Sequence, residues 1–381
     1  MKKLCLCLWL ALPFLGAGCK GVEQVGPEQP ASSGCELLSL EDVAQILSEL
    51  PLEEQHLREV HDAVGSSSGN GYDEEYMMSD LFANPGAGVG SDGRPTKAGS
   101  YASPLRDLFE DYFSKKCATR AGGSPDADAY IEALRSSDIQ IYWPYSEDWD
   151  GAFPIITFDP GYGAESNTGY EVTVDADGNR KVSEVYVDEA VAASRPVWVV
   201  NTNDDSAFTP LDLITSKAGE SNGTSSKKLM LKTFTMLRNY DSWFGGGSEF
   251  FVKCGSASGF KATNDNDLKL YTPSVTDFMV VVRRSELKKE VTMNTILVSD
   301  FTDEIDKVAF LVIEDDGGET TSWKCAATVK YMSKTYGFDL EIPYKDKDDV
   351  VWRGQLSGDF FRTKAPASGR FGDVKITFAL E

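Results

Sequence analysis

Carboxylates are the groups in this chain whose placement could do chemistry. In the C-terminal region they gather at four breaks between strand-like runs: Asn239-Tyr240-Asp241, Asp265-Asn266-Asp267, Glu314-Asp315-Asp316-Gly317-Gly318 and Asp346-Lys347-Asp348-Asp349. A hard cation such as calcium takes about six to eight oxygens, so carboxylates converging from separate loops suit it. Asp241, Asp315, Asp316 and Asp348 are the candidate ligands. The competing reading makes them solvated turn residues, and what separates the two is whether the side chains enter one cavity. Other constellations are weaker. His56 and His61, the only histidines, are five positions apart. On a helix that is about 140° of rotation, whereas zinc-protease pairs sit four apart on one face. Losing that pair also leaves Ser/His and Cys/His catalysis without an evident base. Asp175-Ala176-Asp177-Gly178-Asn179 has the composition of a calcium loop. Its glycine is fourth instead of sixth, and its flanks alternate like strands, so it reads as a hairpin connection.

Seven cysteines are present, and their positions sort them. Met1-Lys2-Lys3 is basic, Leu4 to Leu15 is apolar, and Gly16-Ala17-Gly18 precedes Cys19. That pattern resembles a lipoprotein signal, with the apolar run too short to span a bilayer. It implies that residues 1–18 are removed and that Cys19 carries lipid. Residues 19–35, rich in Gly, Pro, Gln and Ser, then form a flexible tether. Cys5 and Cys7 leave with the signal. Cys35, Cys117, Cys254 and Cys325 remain as candidates for two disulfides in an oxidising compartment, with three connectivities open and free thiols the alternative.

The elements that must position these residues follow from periodicity. Leu40, Val43, Ile46, Leu47, Leu50, Leu57, Val60 and Val64 recur three or four apart, and Pro51 divides them into two helices. Further helices are expected at 104–116 and 126–136. From Ile139 to Asn201 the pattern changes to short β-rich runs, a small sheet closed by the helices. The polar stretch 216–226 marks a boundary, after which 227–381 carries about eight strands, enough for a β-sandwich. The expected fold is therefore an α+β region over 36–225, with helices within 40–136 and a sheet within 139–201, followed by an all-β sandwich over 227–381. Aromatic runs such as Ile141-Tyr142-Trp143-Pro144-Tyr145 are expected in the core, with a carbohydrate-stacking platform as the alternative.

Two resemblances attach to these residues. Leu229 to Lys253, a strand running through Asn239–Gly247 into Ser248-Glu249-Phe250-Phe251-Val252, resembles the first strand, loop and second strand of C-two domains, the calcium- and phospholipid-binding sandwiches. Lys307 to Asp316 resembles their strand ending in an acidic loop. The resemblance implies calcium as ligand, Asp241 as the first-loop ligand, and Asp315 and Asp316 in the later loop; Glu249 stands where an Asp is usual. The mature chain as a whole is similar to exported lipoproteins of Bacteroides-type bacteria, which carry no assigned activity.

Lys plus Arg number 37 against 60 for Asp plus Glu, a formal net charge of −23. Such a surface repels phosphate backbones, so nucleic acid is excluded as a partner class. The expected protein is a non-enzymatic binding or structural lipoprotein of the bacterial envelope, held at the outer membrane by lipid. Calcium in the sandwich loops and a protein or glycan are its expected partners. The alternative is a secreted hydrolase or processed precursor with its site in the middle β region.

Overall fold

Ser39 and Asp42 close a reciprocal cap in the computed structural model, which describes residues 37–83, 104–118, 126–175, 178–203, 227–262, 264–364 and 366–381. The Asp42 amide donates to Ser39 Oγ at 3.1 Å and the Ser39 amide to Asp42 Oδ2 at 2.9 Å, starting α1 (Leu40–Glu49). Such a cap satisfies amides that have no partner within the helix. After the Pro51 break comes α2 (Glu54–Gly69), whose start is capped by His56: its Nδ1 accepts from the Glu53 amide at 2.9 Å. The short α3 (Met78–Leu81), then α4 (Pro104–Ala118) and α5 (Ala127–Arg135), complete a helical layer.

That layer covers one face of a six-stranded sheet. Its strands are β1 (Glu75–Met77), β2 (Ile139–Tyr142), β3 (Ile155–Phe158), β4 (Ser166–Val174), β5 (Arg180–Asp188) and β6 (Val197–Thr202), in the order β1-β2-β6-β3-β4-β5. The pairing is antiparallel except between β3 and β6. Successive side chains on a strand face opposite ways. On β6, accordingly, Trp198 and Val200 join the helices while Val197 and Val199 face the other side. That second face is closed by Trp243 and Phe244, which come from the C-terminal region.

The C-terminal region is a β-sandwich. One sheet runs β10-β7-β16-β15, built from β7 (Leu229–Met236), β10 (Val291–Val298), β15 (Ala367–Phe371) and β16 (Val374–Leu380). Opposite it lie β8 (Ser248–Ser256), β9 (Ser274–Val282), β11 (Ile305–Glu314) and β14 (Asp349–Ser357), with β11 between β8 and β14. Phe234, Phe250, Phe310, Ile376 and Phe378 fill the space between the sheets. A long hairpin, β12 (Thr320–Tyr331) and β13 (Lys334–Lys345), leaves β11 and packs Ala327, Leu340 and Ile342 over the outer face, against Phe251, Ala309, Leu311 and Ile313. Its turn places Met332 and Ser333 at φ 47° and 63°, the left-handed pair a two-residue hairpin needs, without the usual glycine. The structure thus contains the expected α+β region followed by a sandwich, and residues 37–381 pack as one compact unit.

Several expectations are corrected. The hairpin strands β12 and β13 extend well beyond their apolar stretches, because cross-strand pairing carries polar residues that show little hydrophobic pattern. Strands β1 and β15 are additional; β15 has only Ala367 and Phe371 buried. Cys254 and Cys325 are free thiols, not a bridge. Cys254 lies in the core between the sheets, while Cys325, on β12 of the hairpin, packs on the outer side of that sheet. Burial pushes their thiols up to about 12 and about 11, which disfavours the nucleophilic thiolate. Cys117, near the end of α4, is half-buried, and Cys35, like Cys19 and the whole segment 1–36, lies outside the described residues. Among the described residues no helix is long and apolar enough to cross a membrane.

Candidate metal centre

The β11 register decides which acid enters the sandwich. Val308, Phe310 and Val312 point into the intersheet core, and Glu314, next in that phase and last in the strand, follows them. It sits opposite Phe250 of β8 and Asp349 of β14 and is only 1% exposed. Asp241, on the loop after β7, and Glu249, at the start of β8, reach the same place: one carboxylate oxygen from each of Asp241, Glu249 and Glu314 lies within 4.8 Å of the others. Two oxygens bound to one calcium at about 2.3 to 2.6 Å are at most about 5 Å apart, so the spacing fits a single ion.

The electrostatics of this cluster are unbalanced. Both Glu314 oxygens and Asp241 Oδ2 are buried without a hydrogen-bond donor. Burying a lone carboxylate costs several kcal/mol unless a proton or cation joins it. Burial first, and then Asp241, Asp316 and Asp349, push the Glu314 carboxyl far above the usual carboxylate range. Asp316, an exposed neighbour, is pushed up to about 6 by partial burial and then by Asp241, Asp349, Asp348 and Asp315. An all-oxygen donor set of this charge suits a hard divalent cation rather than zinc or copper.

The four residues expected as ligands therefore divide. Asp241 is in the cluster and Asp316 adjoins it. Asp315 instead forms an ion pair with Lys345 Nζ at 3.0 Å and accepts from the Gly317 amide at 3.3 Å. Asp348 accepts from the Lys345 amide at 2.7 Å and the Asp316 amide at 3.3 Å. Both shape the turns that carry the site. Glu249 and Glu314, neither of them among the four expected ligands, complete the cluster instead. Of the other acidic stretch, Asp267 closes a cap with Asn264 at the start of a short helix, 265–270. His61 packs against Trp143 and Trp149, and Tyr142, Trp143 and Trp198 are core residues, although Trp143 and Tyr145 also border a surface cavity with Trp149 and Phe153.

A second acidic group lies where the α+β region meets the sandwich. Glu74 is fully buried and its Oε1 accepts from the Ser146 amide at 3.0 Å and hydroxyl at 2.7 Å. Burial, then Asp73 beside it, pushes its carboxyl up to about 8. Glu147 titrates lower than usual: burial raises it, but hydrogen bonds from Ser285, its own backbone and Glu74 outweigh that. Glu74 is thus protonated in the fold up to about pH 8 but ionised in the unfolded chain above about pH 4.5. Over that window the unfolded state binds fewer protons, so its stabilising contribution, complete below about 4.5, is lost as pH rises to about 8. Glu74→Gln is expected to flatten the pH dependence of urea unfolding between pH 5 and 8 and to raise stability at pH 8 by a few kcal/mol. An unchanged slope in the variant would show that this carboxyl is ionised in the fold.

Comparison with known proteins adds no relative: no family model, curated protein or solved structure matches the chain.

Proposed function

We propose that this protein is a calcium-binding β-sandwich module, non-enzymatic, carried at the bacterial envelope on a lipid-bearing Cys19. The observation that carries the calcium reading is Glu314, a core-facing carboxylate with no donor to either oxygen, within 4.8 Å of carboxylates from Asp241 and Glu249. The resemblance to C-two domains supports it at Asp241 and at the acidic end of β11, with Glu249 and Glu314 as this chain's own departures. Three carboxylates are few for a tight calcium buffer, so the expected dissociation constant is about 0.1 to 1 mM, as in extracellular modules.

Isothermal calorimetry of the chain purified without the signal, titrated with CaCl2 after EGTA treatment, tests this. One site per chain is expected, together with a rise in unfolding free energy of about 2.7 kcal/mol at one hundred times Kd. No heat and no thermal shift up to 20 mM calcium, about twenty times the weakest expected Kd, would end the reading. The anchor is tested separately by intact-mass spectrometry of membrane-extracted native protein. A diacyl increment on an N-terminal Cys19 is expected, and an unmodified N-terminus elsewhere overturns it.

A further inference from the structure

The loop that carries Asp241 is also the loop by which the two regions hold each other. Trp243 and Phe244 lie in the core of the α+β sheet, with Trp243 Nε1 donating to the Glu165 carbonyl at 3.0 Å. Asn201 Nδ2 donates to the carbonyls of Phe244 at 2.9 Å and Gly245 at 3.1 Å. Asp73 Oδ2 accepts from the Gly247 amide at 2.7 Å. This approach requires glycines: a Cβ at Gly246, whose φ is +130°, would stand 2.7 Å from Asp73 Oδ2, and one at Gly247 would stand 2.8 Å from the Val282 carbonyl.

Arg284 ties the loop ends together. Its side chain is 3% exposed. Nη2 donates to the Asp241 carbonyl at 2.6 Å, Nε to the Gly246 carbonyl at 2.8 Å, and Nη1 to Glu189 Oε1 at 3.2 Å. Glu189 belongs to the α+β region, where it also accepts from the Tyr145 hydroxyl at 3.2 Å. One guanidinium thus joins the backbone of a metal-site residue to a carboxylate of the other region.

We propose that the α+β region sets the cation affinity of the sandwich, with Arg284 as the positioning residue that transmits the setting from Glu189 to Asp241. This rests on the calcium reading above. Holding Asp241 in place before the ion arrives lowers the ordering cost of binding. Coupling between two sites is reciprocal, so calcium must in turn tighten the grip of the α+β region on the loop.

The test uses the full mature chain in 0.5 M KCl, which screens the mere loss of a distant charge. Glu189→Gln is expected to weaken calcium binding by about fivefold, the lower end of ordinary couplings. Because the Glu189 carboxylate is 37% exposed, the variant should fold. Arg284→Lys, which keeps the charge but loses the planar fork, should weaken binding at least as much. Calcium should also slow hydrogen exchange at the Gly247 amide in the wild type and not in Glu314→Gln. If the wild type binds calcium but both variants bind it equally well and Gly247 exchange is unchanged, the coupling is overturned and the metal site stands. If the wild type binds no calcium, both fall.

Discussion

Glutamine at position 314 is expected to make the protein more stable than wild type in EGTA at pH 7, by about 1 to 3 kcal/mol, and to abolish its stabilisation by calcium. The first effect follows from the proton that Glu314 must hold. Its carboxyl is raised in the fold, so its stabilising contribution is whole below the unfolded value near 4.5 and declines as pH rises toward the raised folded value. At pH 7 the wild type has already lost part of it. An amide has no charge to neutralise, and its NH2 can donate to Asp241 without having to take up a proton first. The second effect follows because an amide oxygen is a poor substitute for a carboxylate around a hard ion. Urea midpoints with and without calcium should therefore cross: variant above wild type in EGTA, wild type above variant at saturating calcium. A variant less stable than wild type in EGTA would mean that the carboxylate has a partner in the fold.

Trp243→Ala is expected to cost about 3 to 5 kcal/mol of unfolding free energy, the range for removing a large buried aromatic. Trp243 is 1% exposed, its ring lies 4.0 Å from that of Phe244, and Tyr142, Ile155, Val187, Val197 and Val199 form the same cluster. Because the ring comes from the loop after β7 and packs on the α+β sheet, the cavity would open between the regions instead of within one of them. Denaturation followed by circular dichroism should show the loss, and proteolysis should cut the 241–247 segment more readily. A loss under 1 kcal/mol would mean that the two regions close that face without the ring.

The helices were legible because their information is local. Leu40 to Val64 repeats at the helical period, and Ser39 and Asp42 sit where a cap requires them, so Pro51 could divide the run correctly. Strand identities in the sandwich were mostly legible from alternation. The long β12–β13 hairpin was less so, since Thr335, Tyr336 and Asp339 gain their strand conformation from partners across the pair. The acidic cluster was half legible. Alternation through Val308, Phe310 and Val312 reaches Glu314 and marks it as core-facing, a signal obscured by the run of acids that follows. Nothing local distinguishes Asp315 from Asp316, yet Lys345 takes one and leaves the other beside the site.

From its order of residues alone this chain determined its α+β and β-rich segments, its strongly acidic character and the candidate acids at its strand ends. Tertiary structure decided which acids meet, that Cys254 and Cys325 do not, and that Trp243 serves a sheet it does not belong to. The reason is the two-residue period of a strand joined to long-range pairing: a side chain's face is set locally, but what waits on that face comes from residues far away in sequence.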